Sequence, residues 1–165
     1  MGQREGEVEG EKNLMQDIVA KNHVICDLAA ANKKALLQDM AARAGEVTGL
    51  SPHVIFDALW EREKLGTTGV GHGIAIPHGK IAGLEGVCGF FARLAAPIDF
   101  EAVDDKPVDL VFLLLAPSDA GADHLQALAQ ASKMLRDPQF CAQCRKARDA
   151  AAIFNMMIGA EAAAA

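Results

Sequence analysis

The residues of this chain that could do chemistry gather around a histidine that follows a proline. In Ile74-Ala75-Ile76-Pro77-His78-Gly79-Lys80 a short apolar run ends at Pro77-His78. Such a run suits a buried strand. Proline stiffens its exit, because its φ is fixed and it keeps the preceding residue out of helix. The spacing predicts His78 on a rigid mount at a strand end, where the chain surfaces. An imidazole has an ordinary pKa of about 6.5, so near neutral pH it offers an uncharged, nucleophilic nitrogen. Two more residues are expected to converge on it. Arg62 projects from the last turn of the helix before the glycine-rich loop, and His124 opens the helix after another central strand. Ligand sites in open α/β sheets lie at strand ends, where helix N-termini also point and favour anions. The loop Gly66-Thr67-Thr68-Gly69-Val70-Gly71-His72-Gly73 adds the hydroxyls of Thr67 and Thr68 and amides such as those of Gly69 and Gly71. Two imidazoles, a guanidinium and a nest of amides together make a phosphate site.

The glycines do not spell a nucleotide site. Five residues separate Gly73 from Gly79-Lys80, where a phosphate-binding Walker loop needs four, and Ile81 stands where that loop has its magnesium-binding hydroxyl. A helix rather than a strand precedes the loop, so the dinucleotide fingerprint is excluded too. His72 and His78 could share a metal, but a loop pair without a carboxylate is a weak ligand set. No metal and no cofactor are expected. Plainer roles compete for several of these residues. Arg62 lies in Glu61-Arg62-Glu63-Lys64, a run that usually marks a solvated helix face. His124, as a helix's first residue, could simply be solvated. His23 and His53 read as structural or surface residues, and Met156-Met157-Ile158 as core. Cys141 and Cys144 form a Cys-x-x-Cys pair in a predicted helix, without further ligands at zinc spacing or the strand-to-helix setting of a redox motif.

The elements that must position these groups follow from periodicity. Asn32 to Val47 reads as a helix, capped by Asn32, with Leu36, Met40, Ala44 and Val47 on one face and Gly45 or Gly49 at its exit. Ser51-Pro52 opens a second, with Val54, Ile55, Ala58 and Leu59 inward. Strands are expected at Ile74–Ile76, Val87–Leu94 and Leu110–Ala116, with another at Val24–Leu28. The third, apolar on both faces, should lie covered on both sides. Asp123 is the expected cap of a helix carrying Leu125, Leu128, Ser132 and Leu135 on one side. Gln139–Lys146 and Ala147–Gly159 read as helices. The fold class is α/β: a three-layer sandwich with a small mixed sheet and helices on both faces.

Composition bounds the rest. The chain has 165 residues, 51% hydrophobic and 23% charged, enough for one domain with a proper core. Residues 13–160 are expected to form it. The Gly- and Glu-rich residues 1–12 read as a mobile tail and 161–165 as a frayed end. The net charge of −6 disfavours nucleic acid, whose binding depends on neutralised phosphates. The longest apolar stretch, Leu110 to Ala116, is too short to span a bilayer, and no secretion signal opens the chain. A cytoplasmic location is expected.

From Arg62 to Gly79 the chain closely resembles the signature of the type-2 enzyme IIA domains of the bacterial phosphotransferase system, the mannitol/fructose-type and nitrogen-type group. The likeness continues in Pro97-Ile98-Asp99-Phe100, Pro107-Val108-Asp109-Leu110 and Asp123-His124-Leu125, and spans roughly Leu14 to Gly159. The resemblance implies an α/β sandwich around a mixed sheet. It implies that His78 is phosphorylated on Nε2 by a phosphohistidine carrier, HPr or its nitrogen-branch paralogue NPr, with His124 as supporting hydrogen-bond donor and Arg62 as charge stabiliser. The Arg-Glu-Lys-x-Gly-Thr-Thr-Gly wording is more like the nitrogen branch, whose members regulate other proteins through their phosphorylation state. His72 stands where the family more often has asparagine or an acidic residue. Two other roles stay open: a sugar-branch IIA passing phosphoryl to a fructose- or mannitol-type IIB domain, and a non-covalent anion- or partner-binding module.

Overall fold

The computed structural model describes residues 14–164; the expected mobile tail at residues 1–12 lies outside them. In chain order the elements are helix α1 (Leu14–Ile18), a 3-10 turn (Lys21–His23), strand β1 (Val24–Leu28), helices α2 (Lys33–Thr48) and α3 (Pro52–Leu65), strands β2 (Gly69–Gly71), β3 (Ile74–Ala75), β4 (His78–Ile81), β5 (Cys88–Ile98) and β6 (Val108–Pro117), and helices α4 (Ala122–Leu135), α5 (Pro138–Lys146) and α6 (Ala150–Ala164). The last helix continues through most of the segment expected to fray.

Strand β6 is the centre of the sheet. It pairs antiparallel with β5 on one side and parallel with both β3 and β4 on the other. Beyond them, β1 lies parallel to β5 and β2 antiparallel to β3. The sheet is therefore mixed, with six strands. The apolar run Leu110–Ala116 is buried throughout because alternate side chains serve opposite layers. Val111, Leu113 and Leu115 join the core under α2 and α3, while Leu110, Phe112 and Leu114 join the core under α1, α4, α5 and α6. The three-layer expectation holds, with helices on both faces.

Local chemistry sets the helix ends. The Asn32 side chain accepts from Ala35 N at 2.8 Å, and Gly49, at φ +79°, closes α2 in the left-handed region. Gly45 is not the exit: it is buried inside the helix. Ser51 caps α3 through Val54 N, with Pro52 at its first position. The expected inward faces hold at Leu36, Met40, Ala44, Ile55 and Leu59, which are buried; Val47, in the last turn of α2, and Val54, in the first turn of α3, are instead 43% and 50% exposed. In α4 the cap is Gly121 rather than Asp123, and Leu125 is exposed. The buried face is His124, Ala127, Ala131, Met134 and Leu135.

The glycine-rich segment is not simply a loop. Gly69–Gly71 forms a strand paired with β3, a pairing that glycine's weak strand preference hid. His72 and Gly73, at φ +59° and +81°, make the two-residue connection, in the left-handed backbone that such tight hairpins require and that asparagine-glycine usually fills. His72 therefore serves a turn. Gly89 is another glycine with a structural consequence. An added Cβ would stand 2.8 Å from Phe112 Cζ and 3.2 Å from Val19 Cγ2. Gly89→Ala is expected to overpack this core and lower the unfolding free energy by about 1–3 kcal/mol, read from urea denaturation.

Candidate functional site

His78 opens β4 rather than ending a strand. Strands β3 and β4 keep one register against β6, with Ile74 opposite Leu110 and His78 opposite Leu114. Pro77 interrupts them because it has no N–H for the ladder, although its carbonyl still accepts from Leu114 N at 2.9 Å. In the gap, Ile76 belongs to neither strand. Its carbonyl accepts a hydrogen bond from His78 Nδ1 at 2.9 Å.

The other ring nitrogen faces Arg62. The guanidinium Nε–H, which can only donate, reaches His78 Nε2 at 3.3 Å. Nε2 must then be the acceptor and Nδ1 the nitrogen that carries the proton. Two partners of fixed polarity thus define one neutral tautomer. Burial pushes the His78 pKa down and the Arg62 charge adds to this, against the opposing pull of the Ile76 carbonyl. The Arg62 head is held in turn by its Nη1, which donates to Gly66 O at 2.8 Å.

Gly79 lets the helix come close enough for this contact. A Cβ there would stand 3.3 Å from Ala58 Cβ. Ala58 and Arg62 lie one turn apart on the same face of α3. Where β6 ends, the chain turns through Ser118–Gly121 into α4, whose first turn carries His124. The His78 and His124 rings lie 5.7 Å apart, tilted by 50°. His124 is buried, not solvated. Its Nδ1 has no partner among the described residues, and burial, with the neighbouring His78 and Lys80, lowers its pKa. The α4 N-terminus has no side-chain cap.

The loop donors go elsewhere. Thr68 N and Oγ1 donate to Glu63 at 2.9 and 2.6 Å, Thr67 Oγ1 donates to Phe100 O, and Gly69 N donates to Thr67 Oγ1. Gly71 packs beside Asp104, which accepts from His72 N. The Thr67 and Thr68 hydroxyls and the Thr68 and Gly69 amides expected to meet an anion are thus engaged with protein acceptors. The residue that periodicity missed is Glu63. It sits in a charged run but is 6% exposed, and Lys33 Nζ reaches its carboxylate at 2.9 Å. It ties the end of α3 to the loop and to the start of α2, next to Arg62 in sequence. The one available signal was Lys33 at the first turn of α2, which local spacing could not pair with it.

His78 has both nitrogens engaged within the protein, and His72 is an exposed turn residue. Cys141 and Cys144 are buried, with thiol pKa values pushed up by burial, that of Cys144 to about 12; they stay protonated and unreactive near neutral pH. His23 is structural, stacked on Phe90 with Nδ1 at 3.0 Å from Gly89 O. Among the described residues no helix is long and apolar enough to cross a membrane.

His23, His78 and His124 all have pKa values lowered chiefly by burial. The unfolded chain takes up protons on them near pH 6.5, whereas the folded chain resists until lower pH. Their stabilisation is complete above about 6.5 and is lost as pH falls through the folded values. Urea midpoints should therefore drop between pH 7 and pH 5, and nitrogen-15 spectra should show His78 as the Nδ1–H tautomer at pH 7. Arg62→Gln should move the His78 titration upward. Glu63→Ala, which leaves Lys33 only the exposed Glu101 at 3.4 Å and takes the acceptor from Thr68 N and Oγ1, should cost about 1–3 kcal/mol in the same denaturation measurement.

Comparison with known proteins agrees with this architecture. A protein of Bradyrhizobium diazoefficiens named nitrogen regulatory protein is 52% identical over 141 residues, covering 86% of this chain and 92% of the relative. A Haloferax volcanii fructose-specific EIIA component is 48% identical over 99 residues, 60% of this chain and 63% of the relative. The crystal structure of nitrogen regulatory protein IIA-Ntr from Neisseria meningitidis superposes with a TM-score of 0.83 at 33% identity, covering 87% of this chain and 99% of that one. The family described as phosphoenolpyruvate-dependent sugar phosphotransferase system, EIIA 2, matches residues 17–159. With that span and those likenesses, the chain belongs to the EIIA type-2 family of the phosphotransferase system.

Proposed function

We propose that this chain is a phosphohistidine carrier of the nitrogen branch, cytoplasmic, which takes a phosphoryl group on His78 Nε2 from an HPr- or NPr-type donor and regulates other proteins through its phosphorylation state. The observation that carries this is the His78 ring, with Nδ1–H held by the Ile76 carbonyl and Nε2 left as an acceptor facing a guanidinium. The 52% identity to a nitrogen regulatory protein over most of both chains supports the branch.

In the transfer, the Nε2 lone pair forms the new N–P bond as the donor's N–P bond breaks, its electron pair returning to the donor's ring nitrogen. Nδ1 keeps its proton on the Ile76 carbonyl, which stabilises the positive charge the ring acquires. The transferring group is loose and metaphosphate-like, with charge on its equatorial oxygens. Arg62 must leave Nε2 as the new bond forms, and its freed N–H can then meet those oxygens. His124 holds a buried, unpartnered nitrogen beside the ring, which in its protonated form a phosphoryl oxygen would satisfy. The uncapped first turn of α4 adds its dipole. These groups replace the glycine loop as the expected source of charge stabilisation.

A sugar-branch role is the second reading, favoured by the likeness to a fructose-specific component. The two differ in acceptor. Incubating the phosphorylated protein with fructose- and mannitol-type IIB domains should leave the label in place; rapid loss would assign the sugar branch. Labelling from phosphoenolpyruvate through the upstream carriers should yield an acid-labile, base-stable modification on Nε2. His78→Ala should abolish it with the fold intact, and labelling that persisted would remove His78 as acceptor. His124→Ala and Arg62→Ala should each slow transfer, by about ten- to a thousand-fold if each supplies one transition-state hydrogen bond; unchanged rates would exclude them.

A further inference from the structure

Between the β2–β3 hairpin and helices α4 and α5 lies a groove of about 680 Å³, within the usual range for small-ligand sites. Its walls are mainly apolar, with Val70, Ile74, Ile76 and Leu135 prominent, and they carry Arg136 and Arg145 but no carboxylate. That sign stands out in a chain of net charge −6. Arg145 is fixed: it chelates Asp109 at 2.8 and 2.9 Å and donates to His72 O at 3.0 Å. Gly73 makes room for this clamp, since a Cβ there would stand 2.7 Å from Arg145 Nη2. The Arg136 guanidinium, by contrast, is exposed and has no partner among the described residues. The groove thus offers a rigid apolar floor and one unneutralised cation at its rim. It adjoins the phosphoryl site without using it, because Ile76 faces the groove while its carbonyl holds His78.

We infer that this groove binds a small amphipathic anion, an acidic head on an apolar body, with the head on Arg136 and the body against Val70, Ile74 and Leu135. The acidic residues 1–12 fit less well, having Val8 as their one sizeable apolar side chain beyond Met1. The site does not depend on phosphoryl transfer, and its test reads binding alone. Anilinonaphthalene sulfonate is titrated into the full chain and followed by fluorescence, with uncharged phenylnaphthylamine as comparator. Arg136→Glu and Val70→Glu, both at exposed positions, should each weaken sulfonate binding by about tenfold or more, as the loss of a charge-assisted contact implies. Arg136→Glu should leave the uncharged probe within about twofold of its original affinity. Leu125→Glu, on exposed surface outside the groove, should change neither. Octanoate should displace the sulfonate and octanol should not. Sulfonate binding that ignores Arg136→Glu and Val70→Glu, or that falls with Leu125→Glu, overturns the site. Displacement by a peptide of residues 1–12 where octanoate fails assigns the groove to the chain's own segment and overturns it too.

Discussion

The structure turns on one imidazole held between a carbonyl and a guanidinium. The Ile76 carbonyl can only accept and Arg62 Nε can only donate, so His78 between them has a single neutral arrangement. A free histidine exchanges between tautomers and takes up a proton near neutrality. Here burial and the adjacent cation disfavour protonation, while the carbonyl decides where the remaining proton sits. The nitrogen left to act as nucleophile in the proposed transfer is thus set by the resting geometry, before any partner arrives.

That arrangement needs both layers of the sandwich. Pro77 breaks the strand that β3 and β4 would otherwise form, and so leaves Ile76 outside both. Gly79 then allows α3 to lie against β4, from the side where Arg62 enters. Glu63, beside Arg62, is locked by Thr68 and Lys33, so the last turn of α3 is tied at two points. On the other layer, the turn after β6 brings His124 back to the same ring. A buried ion pair such as Glu63–Lys33 is a poor source of net stability, because desolvation offsets its attraction. Its value here is in fixing where a helix ends.

Much of this could be read from residue order, and the parts that could not share a cause. The strand Leu110–Ala116, the Asn32 and Ser51-Pro52 caps and the rigid setting of His78 rest on local patterns, and local patterns are what sequence displays. Arg62 was placed near His78 by topology, but its contact with Nε2 depends on how closely Gly79 lets α3 approach. Glu63 looked solvated because its partners, Lys33 and Thr68, lie on other segments. Thr67 and Thr68 looked like anion donors, yet Thr67 meets Phe100 O from across the fold and Thr68 meets the Glu63 carboxylate five residues back, which a charged run disguises as solvated. The inward face of α4 was misjudged because Leu125 outweighs Ala127 and Ala131 in hydrophobicity, while close packing on the sheet favours the smaller residues. Strand β2 went unseen because Gly-Val-Gly has little strand preference of its own; the hairpin imposes it.

The position of Arg62 also bears on which molecules can react with the resting protein. Its N–H occupies the same lone pair that would attack, so the nucleophile is masked while it waits. A neutral alkylating or acylating agent offers the guanidinium nothing in exchange for that hydrogen bond. A phosphoryl group does, because its oxygens are better acceptors than the nitrogen they displace. In the proposed transfer, the cation that stabilises the phosphoryl group would therefore also act as a chemical filter, opening the imidazole to anionic donors and shielding it from uncharged electrophiles that drift past.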